Sequence, residues 1–176
     1  MTSMEPLCYE HKAILRIAGR PGMAAQTKKI EVTLETLLDS VDLAEHLTLR
    51  IADAIGFGEE DCHKIGMSVR EGVINAYNYG NQRERSKKIL LTVELEPEKM
   101  VIHVLDQGPG FEVQEIPDPL SEENLLRTSG RGLFLMRAFM DEFEVRKGTH
   151  GGAELVMAKL YPNSNGKPPM AEDKEK

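Results

Sequence analysis

The hydrophobic positions along this chain change period several times, and each change predicts an element. In "KKIEVTLET", Ile30, Val32 and Leu34 alternate with polar residues, which is strand periodicity. From Asp39 to Ile55 the apolar positions become Val41, Leu43, Ala44, Leu47, Ile51, Ala54 and Ile55, the spacing of a helix that Gly56 and Gly58 would end. In "GEEDCHKIGMSVREGVINAYNYG" a 3-and-4 pattern through Cys62, Ile65, Val69, Val73 and Ala76 predicts a second long helix. Its first turn is acidic (Glu59, Glu60, Asp61), and Gly80 suits its end. "KKILLTVELEPEKMVIHVLDQGPG" reads as two strands joined at Glu96-Pro97-Glu98-Lys99. A loop with Pro109, Pro117 and Pro119 follows, with a short helix allowed at "SEENLL". "RGLFLMRAFM" predicts a third helix, and "DEFEVRKGTHGGAELVMAKLY" a second hairpin that turns between Thr149 and Gly152.

The order β-α-α-β-β-loop-α-β-β lacks the strand-helix alternation of a doubly wound parallel fold. Hairpins adjacent in sequence instead predict an α/β (α+β) two-layer sandwich: a mixed, mostly antiparallel sheet with helices on one face. Residues 1–28 contain Gly19, Pro21 and Gly22 and read as an N-terminal extension, in which "KAILRI" allows a short strand. Residues 29–161 form the domain. Residues 162–176 are polar and Pro-rich and read as a disordered tail.

At 176 residues and 40% hydrophobic, the chain suffices for one domain with a full core. That core is aliphatic, because there is no Trp and aromatics make up only 5%. The formal net charge of -7 argues against nucleic acid as the main partner. No run of about 18 apolar residues predicts a membrane span, and "MTSMEPLCYEHK" lacks the apolar core of a secretory signal. Cys8 and Cys62 have no CxxC companions, which fits free thiols in a reducing cytoplasm. The five His form no HxxH or HExxH pattern, which argues against a metal-hydrolase site.

Candidate chemistry begins in "REGVINAYNYGN", where Glu71 and Asn75 stand one turn apart on one helix face. Asn is a poor helix-interior residue, and Asn78 and Asn81 follow it. Three glycine-bearing stretches accompany the pair. In "LDQGPGF", Asp106 ends a strand, and Gly108 and Gly110 occupy the turn. In "SGRGLFLM", Gly130 and Gly132 open a helix, where free N–H groups suit phosphate. In "HGGAELVM", Gly151 and Gly152 precede the final strand. Taken singly, each is an ordinary surface acid, turn or loop; their order and spacing together are not.

This set resembles the GHKL ATPase superfamily, which includes gyrase and the histidine kinases. Glu71 and Asn75 match its N box, Asp106, Gly108 and Gly110 its G1 box, and Gly130 and Gly132 its G2 box. Over residues 29–161 the chain is similar, more closely, to the bacterial anti-sigma factor serine kinases of RsbW type. The short segment between Phe111 and Ser129, read as a lid from Glu112 to Thr128, favours that branch over a histidine kinase. The resemblance implies the Bergerat ATP-binding fold, with ATP and Mg²⁺ as cofactors. It implies that Asn75 holds Mg²⁺ through its amide oxygen, that Asp106 accepts the adenine amino N–H, and that Gly108 and Gly110 pack on the base. Ser129, Gly130, Arg131, Gly132 and Leu133 would line the triphosphate. Glu71 would face the γ-phosphate and orient or deprotonate a partner's serine hydroxyl.

Three positions depart from the family pattern. Ala153 stands where Thr is frequent, Tyr79 stands where His is common, and the N-terminal extension is long. Lys87, Lys88, Arg127 and Arg137 are further candidates for phosphate or partner contacts.

The function implied is an ATP-dependent serine/threonine protein kinase that acts as an anti-sigma factor in the cytoplasm. It would be a homodimer that binds a sigma factor and phosphorylates an anti-anti-sigma antagonist of STAS type. The alternatives are a nucleotide-gated switch module without phosphoryl transfer, which would not need Glu71, and an ATP-binding domain feeding a histidine phosphotransfer partner.

Overall fold

A computed structural model of the chain describes residues 27–110, 128–148 and 151–162, and their side chains except those of 128–131. The N-terminal extension with "KAILRI", the lid with "SEENLL", Arg127 and the polar tail beyond residue 162 lie outside the described residues.

Strand β1 (Lys28–Glu35) is followed by helices α1 (Asp39–Ala54) and α2 (Glu59–Asn75), and a π-helical turn over Ala76–Gly80 extends α2. The hairpin β2 (Lys88–Leu95) and β3 (Lys99–Leu105) comes next, then α3 (Thr128–Phe139) and a second hairpin of β4 (Glu142–Lys147) and β5 (Ala153–Leu160). The strands form one sheet in the order β1-β2-β3-β5-β4. All four pairings are antiparallel, so the expected mostly antiparallel sheet is antiparallel throughout the described residues. The β2–β3 turn is closed by Glu96 N–H donating to Lys99 O at 3.0 Å, where Pro97 was expected to bend the chain.

Alternation along the strands sends one residue set inward. Leu34, Ile89, Leu91, Val93, Met100, Ile102, Val104 and Met157 are all buried and pack against Val41 and Ile51 of α1, Ile65, Val69 and Val73 of α2, and Met136 of α3. The opposite face carries charged pairs, including Lys99 with Glu142 at 2.7 Å and Arg146 with Glu154 at 2.9 Å. Helix α2 therefore lies over the middle of the sheet with its predicted stripe inward.

Helix α1 departs from its apolar pattern. Leu43 is 56% exposed, and Ser40 and Thr48 take places on the buried face. Their hydroxyls donate to Glu35 O and Ala44 O, so burying them leaves no hydroxyl donor unpaired. The helix ends as read, with Gly56 at φ +93 and its N–H on Asp53 O at 3.1 Å.

Among the described residues no helix is long and apolar enough to cross a membrane.

Candidate active site

Strand β3 ends at Leu105 and delivers Asp106 to a buried position, 6% exposed, beneath the end of α2. Its Oδ1 accepts from the backbone N–H of Gly108 at 2.8 Å and of Ala153 at 3.1 Å. Its Oδ2 makes no hydrogen bond among the described residues. Three glycines make room for the carboxylate. A Cβ on Gly80 would overlap Asp106 Oδ2, one on Gly108 would overlap the Gly80 carbonyl, and one on Gly152 would overlap the Asp106 carbonyl. Gly80 is thus required for space and not for a left-handed helix end, since it is absent from the positive-φ residues. The Gly151–Gly152 pair, ordinary as a hairpin turn, is one wall of this arrangement, with Gly152 at φ +78.

A cavity of about 210 Å³ opens beside Asp106. The walls come from α2 and its π-helical turn (Gly72, Asn75, Ala76, Tyr79, Gly80) and from the sheet (Val104, Val145, Leu155). Pro109, Gly110, Leu133 and Ala153 complete it. An apolar slot with one buried carboxylate suits a flat heteroaromatic ring that donates an N–H. Ala153, which lacks the hydroxyl of the frequent Thr, still ties its N–H to the carboxylate.

The structure brings Glu71 and Asn75 to one point. Gly132 of α3 faces both: a Cβ there would stand 2.7 Å from Glu71 Oε2 and 3.5 Å from Asn75 Nδ2. A side chain there would displace the Glu71 carboxylate, the mobile end of a flexible side chain, from its place beside α3. Gly130 and Gly132, read as opening a helix, lie in α3 (Thr128–Phe139). Ser129, Gly130 and Arg131 lie in the first described turn of α3. Of the site residues read from the sequence, Asn75, Asp106, Gly110 and Leu133 line the cavity. Gly108 supports it from behind Gly80, and Glu71 lies at its α3 end.

Asn81, noted in the sequence after Asn75 and Asn78, is given no role there. It is fully buried, and its Nδ2 donates to Thr36 Oγ1 at 2.8 Å and to Lys88 O at 3.0 Å. Its Oδ1 accepts from Gln107 N–H at 2.7 Å. Gln107 in turn accepts from Lys88 N–H at 2.7 Å. One side chain therefore fixes the π-helical turn to the ends of β1 and β2 and to the Asp106 loop. Its signal was only an Asn with no evident solvent role; its partners are distant in sequence.

Burial pushes the Asp106 carboxyl above its ordinary 3.8, while the N–H groups of Gly108 and Ala153 and the nearby Lys87 pull it down less strongly. A raised carboxyl pKa means that the fold favours the protonated form, so ionising Asp106 weakens the fold as pH rises from 3.8 through the raised value. A ligand N–H on the carboxylate reverses this preference. Nucleotide affinity is therefore expected to fall on acidification starting above pH 3.8, with proton release on binding in that range. Asp106→Asn should remove this pH dependence and weaken binding by about 1.5–3 kcal/mol. Calorimetry in buffers of different ionisation enthalpy checks it; a wild-type affinity flat through the acid range would contradict it.

Fold and site together define a nucleotide-binding domain of one kind: the chain belongs to the histidine kinase-like ATPase domain family, whose family model matches residues 34–159. The motif resemblance to GHKL ATPases and their RsbW-like branch is borne out. The chain is 31% identical over 102 residues to the Anti-sigma F factor of Clostridium perfringens (strain SM101 / Type A), covering 57% of this chain and 73% of that one. It is 28% identical over 143 residues to the Serine-protein kinase RsbW of Listeria innocua, covering 78% and 90%. Among solved structures, it is similar to the RsbU and RsbW domains of a Mycobacterium tuberculosis protein, with a TM-score of 0.51 at 18% identity over 76% of this chain and 32% of that one. At that identity the likeness shows the fold.

Proposed function

We propose that the chain is an ATP-dependent serine/threonine protein kinase that acts as an anti-sigma factor. It would phosphorylate an anti-anti-sigma antagonist of STAS type and bind a sigma factor once that antagonist is released. The observation that carries this reading is the meeting of Glu71, Asn75 and Gly132 at the end of a cavity whose base-binding group is Asp106. The names of the relatives, an anti-sigma factor and a serine-protein kinase, support it.

Each role follows from the chemistry of the side chain. Asp106 Oδ2 accepts the exocyclic N–H of adenine, while the apolar walls exclude water from the base. Asn75 offers an amide oxygen with no hydrogen bond among the described residues, a hard donor suited to Mg²⁺. The described residues contain no group of three or more His, Cys, Asp or Glu able to hold a metal by itself. Held by Asn75, Mg²⁺ would supply charge neutralisation for the nucleotide phosphates. Glu71 accepts the proton of the antagonist's serine hydroxyl as that oxygen bonds the γ-phosphorus and the bond to ADP breaks. A homodimer in the cytoplasm is the proposed working form.

Asn75→Ala tests the assignment. ATP affinity in Mg²⁺ should fall at least tenfold, while adenosine, which reaches only Asp106 and the apolar slot, should bind as in wild type. Equal ATP affinity in both proteins would remove Asn75 from the site.

A further inference from the structure

Beyond Asn81 the chain takes a strained course. Gln82 and Arg83 both adopt left-handed backbone, at φ 54 and 62. Neither is glycine, and two such residues in succession persist only where the surroundings impose them. The anchors are visible. Arg83 N–H donates to Tyr77 O at 2.9 Å and Glu84 N–H to Asn81 O at 3.0 Å. Strain held this firmly beside a site invites the question of what it presents.

It presents a cation. Arg83 Nε donates to Asn78 Oδ1 at 2.9 Å. Asn78 stands three residues beyond Asn75 inside the π-helical turn, next along the helix from the Glu71–Asn75 pair and at the rim of the cavity rather than in its lining. Neighbouring cations are occupied: Arg70 pairs with Asp42 and Glu45, Lys87 with Glu84, and Lys88 with Glu35. Among the described residues Arg83 and Arg85 form no ion pair, and of these only Arg83 is oriented, by Asn78. With Nε engaged, the planar guanidinium keeps its terminal N–H donors for a forked contact to an anion.

We propose that Arg83, held by Asn78, binds the polyphosphate of the nucleotide on the side of the cleft marked by Glu71 and Asn75. This deepens the reading above and rests on it. The left-handed pair turns the chain back so that a residue from beyond the helix end returns to the π-helical turn.

Calorimetry on the full chain with Mg·ATP and with adenosine separates the possibilities. Arg83→Ala should bind ATP roughly 10- to 100-fold more weakly, the usual worth of a charge-assisted hydrogen bond. Adenosine affinity should be unchanged. Asn78→Ala should show a smaller loss of the same kind. Arg83→Gly relieves the left-handed strain, so it should resist denaturant at least as well as Arg83→Ala and yet lose the same ATP affinity. Wild-type ATP affinity in Arg83→Ala, or equal losses for ATP and adenosine, would overturn the role of Arg83 alone. A wild-type chain that binds neither ligand would overturn the nucleotide reading and this inference with it.

Discussion

Glu71→Gln is expected to slow phosphoryl transfer to a protein serine by roughly 10²–10⁴-fold, the usual contribution of a positioned general base. The substitution keeps shape and reach, so the contact with Gly132 of α3 survives. It removes only the charge and the ability to take a proton. Nucleotide affinity should stay within a few-fold of wild type, because Asp106 and Asn75 hold the ligand. Antagonist binding should also persist, trapping a complex of kinase, nucleotide and unphosphorylated antagonist. Single-turnover transfer measured beside ATP titration gives both readouts. Wild-type transfer by Glu71→Gln would reduce Glu71 to an ordinary helix residue.

The second large effect is on stability. Asn81→Leu should destabilise the fold by about 2–4 kcal/mol, since a buried donor or acceptor left without a partner costs about 1–3 kcal/mol. Gln107 N–H and the Lys88 carbonyl each lose the partner Asn81 provides, and Thr36 Oγ1 loses a donor. Leucine is close to the same volume, so a cavity is not the cause. The damage should be directional: the Asp106–Gln107 loop loosens, and ATP affinity falls in protein that is still folded. Urea unfolding followed by nucleotide titration at low denaturant checks both; an unchanged midpoint would mean that the network adds nothing to the fold.

Glu71, Asn75 and Asp106 were legible because their relations are local. A four-residue interval on a helix puts two side chains on one face, and an acid after alternating apolar residues sits at a strand end. What joins these pieces was not legible. Asn81 bonds Thr36 and Gln107, which only the sheet brings beside it. Gly80, read as a helix stop, is needed because the Asp106 carboxylate fills the space where a side chain would stand. The π-helical turn over Ala76–Gly80 widens the bonding to i→i+5, as in Asn81 N–H to Ala76 O at 2.7 Å. Apolar periodicity does not encode such a change over five residues. Leu43 was misplaced for a similar reason: a helix pattern admits several rotations, and packing against α2 and the sheet chose one that buries Thr48 instead.

The most direct measurement is transfer of radiolabelled γ-phosphate from Mg·ATP by the wild-type chain to a STAS-type protein, with the same protein carrying Ala at its acceptor serine as control. A kinase of the proposed kind labels the serine protein and leaves the control unlabelled. If ATP binds at the Asp106 cavity and neither protein is labelled, phosphoryl transfer is not what this site does, and a nucleotide-gated switch replaces the kinase.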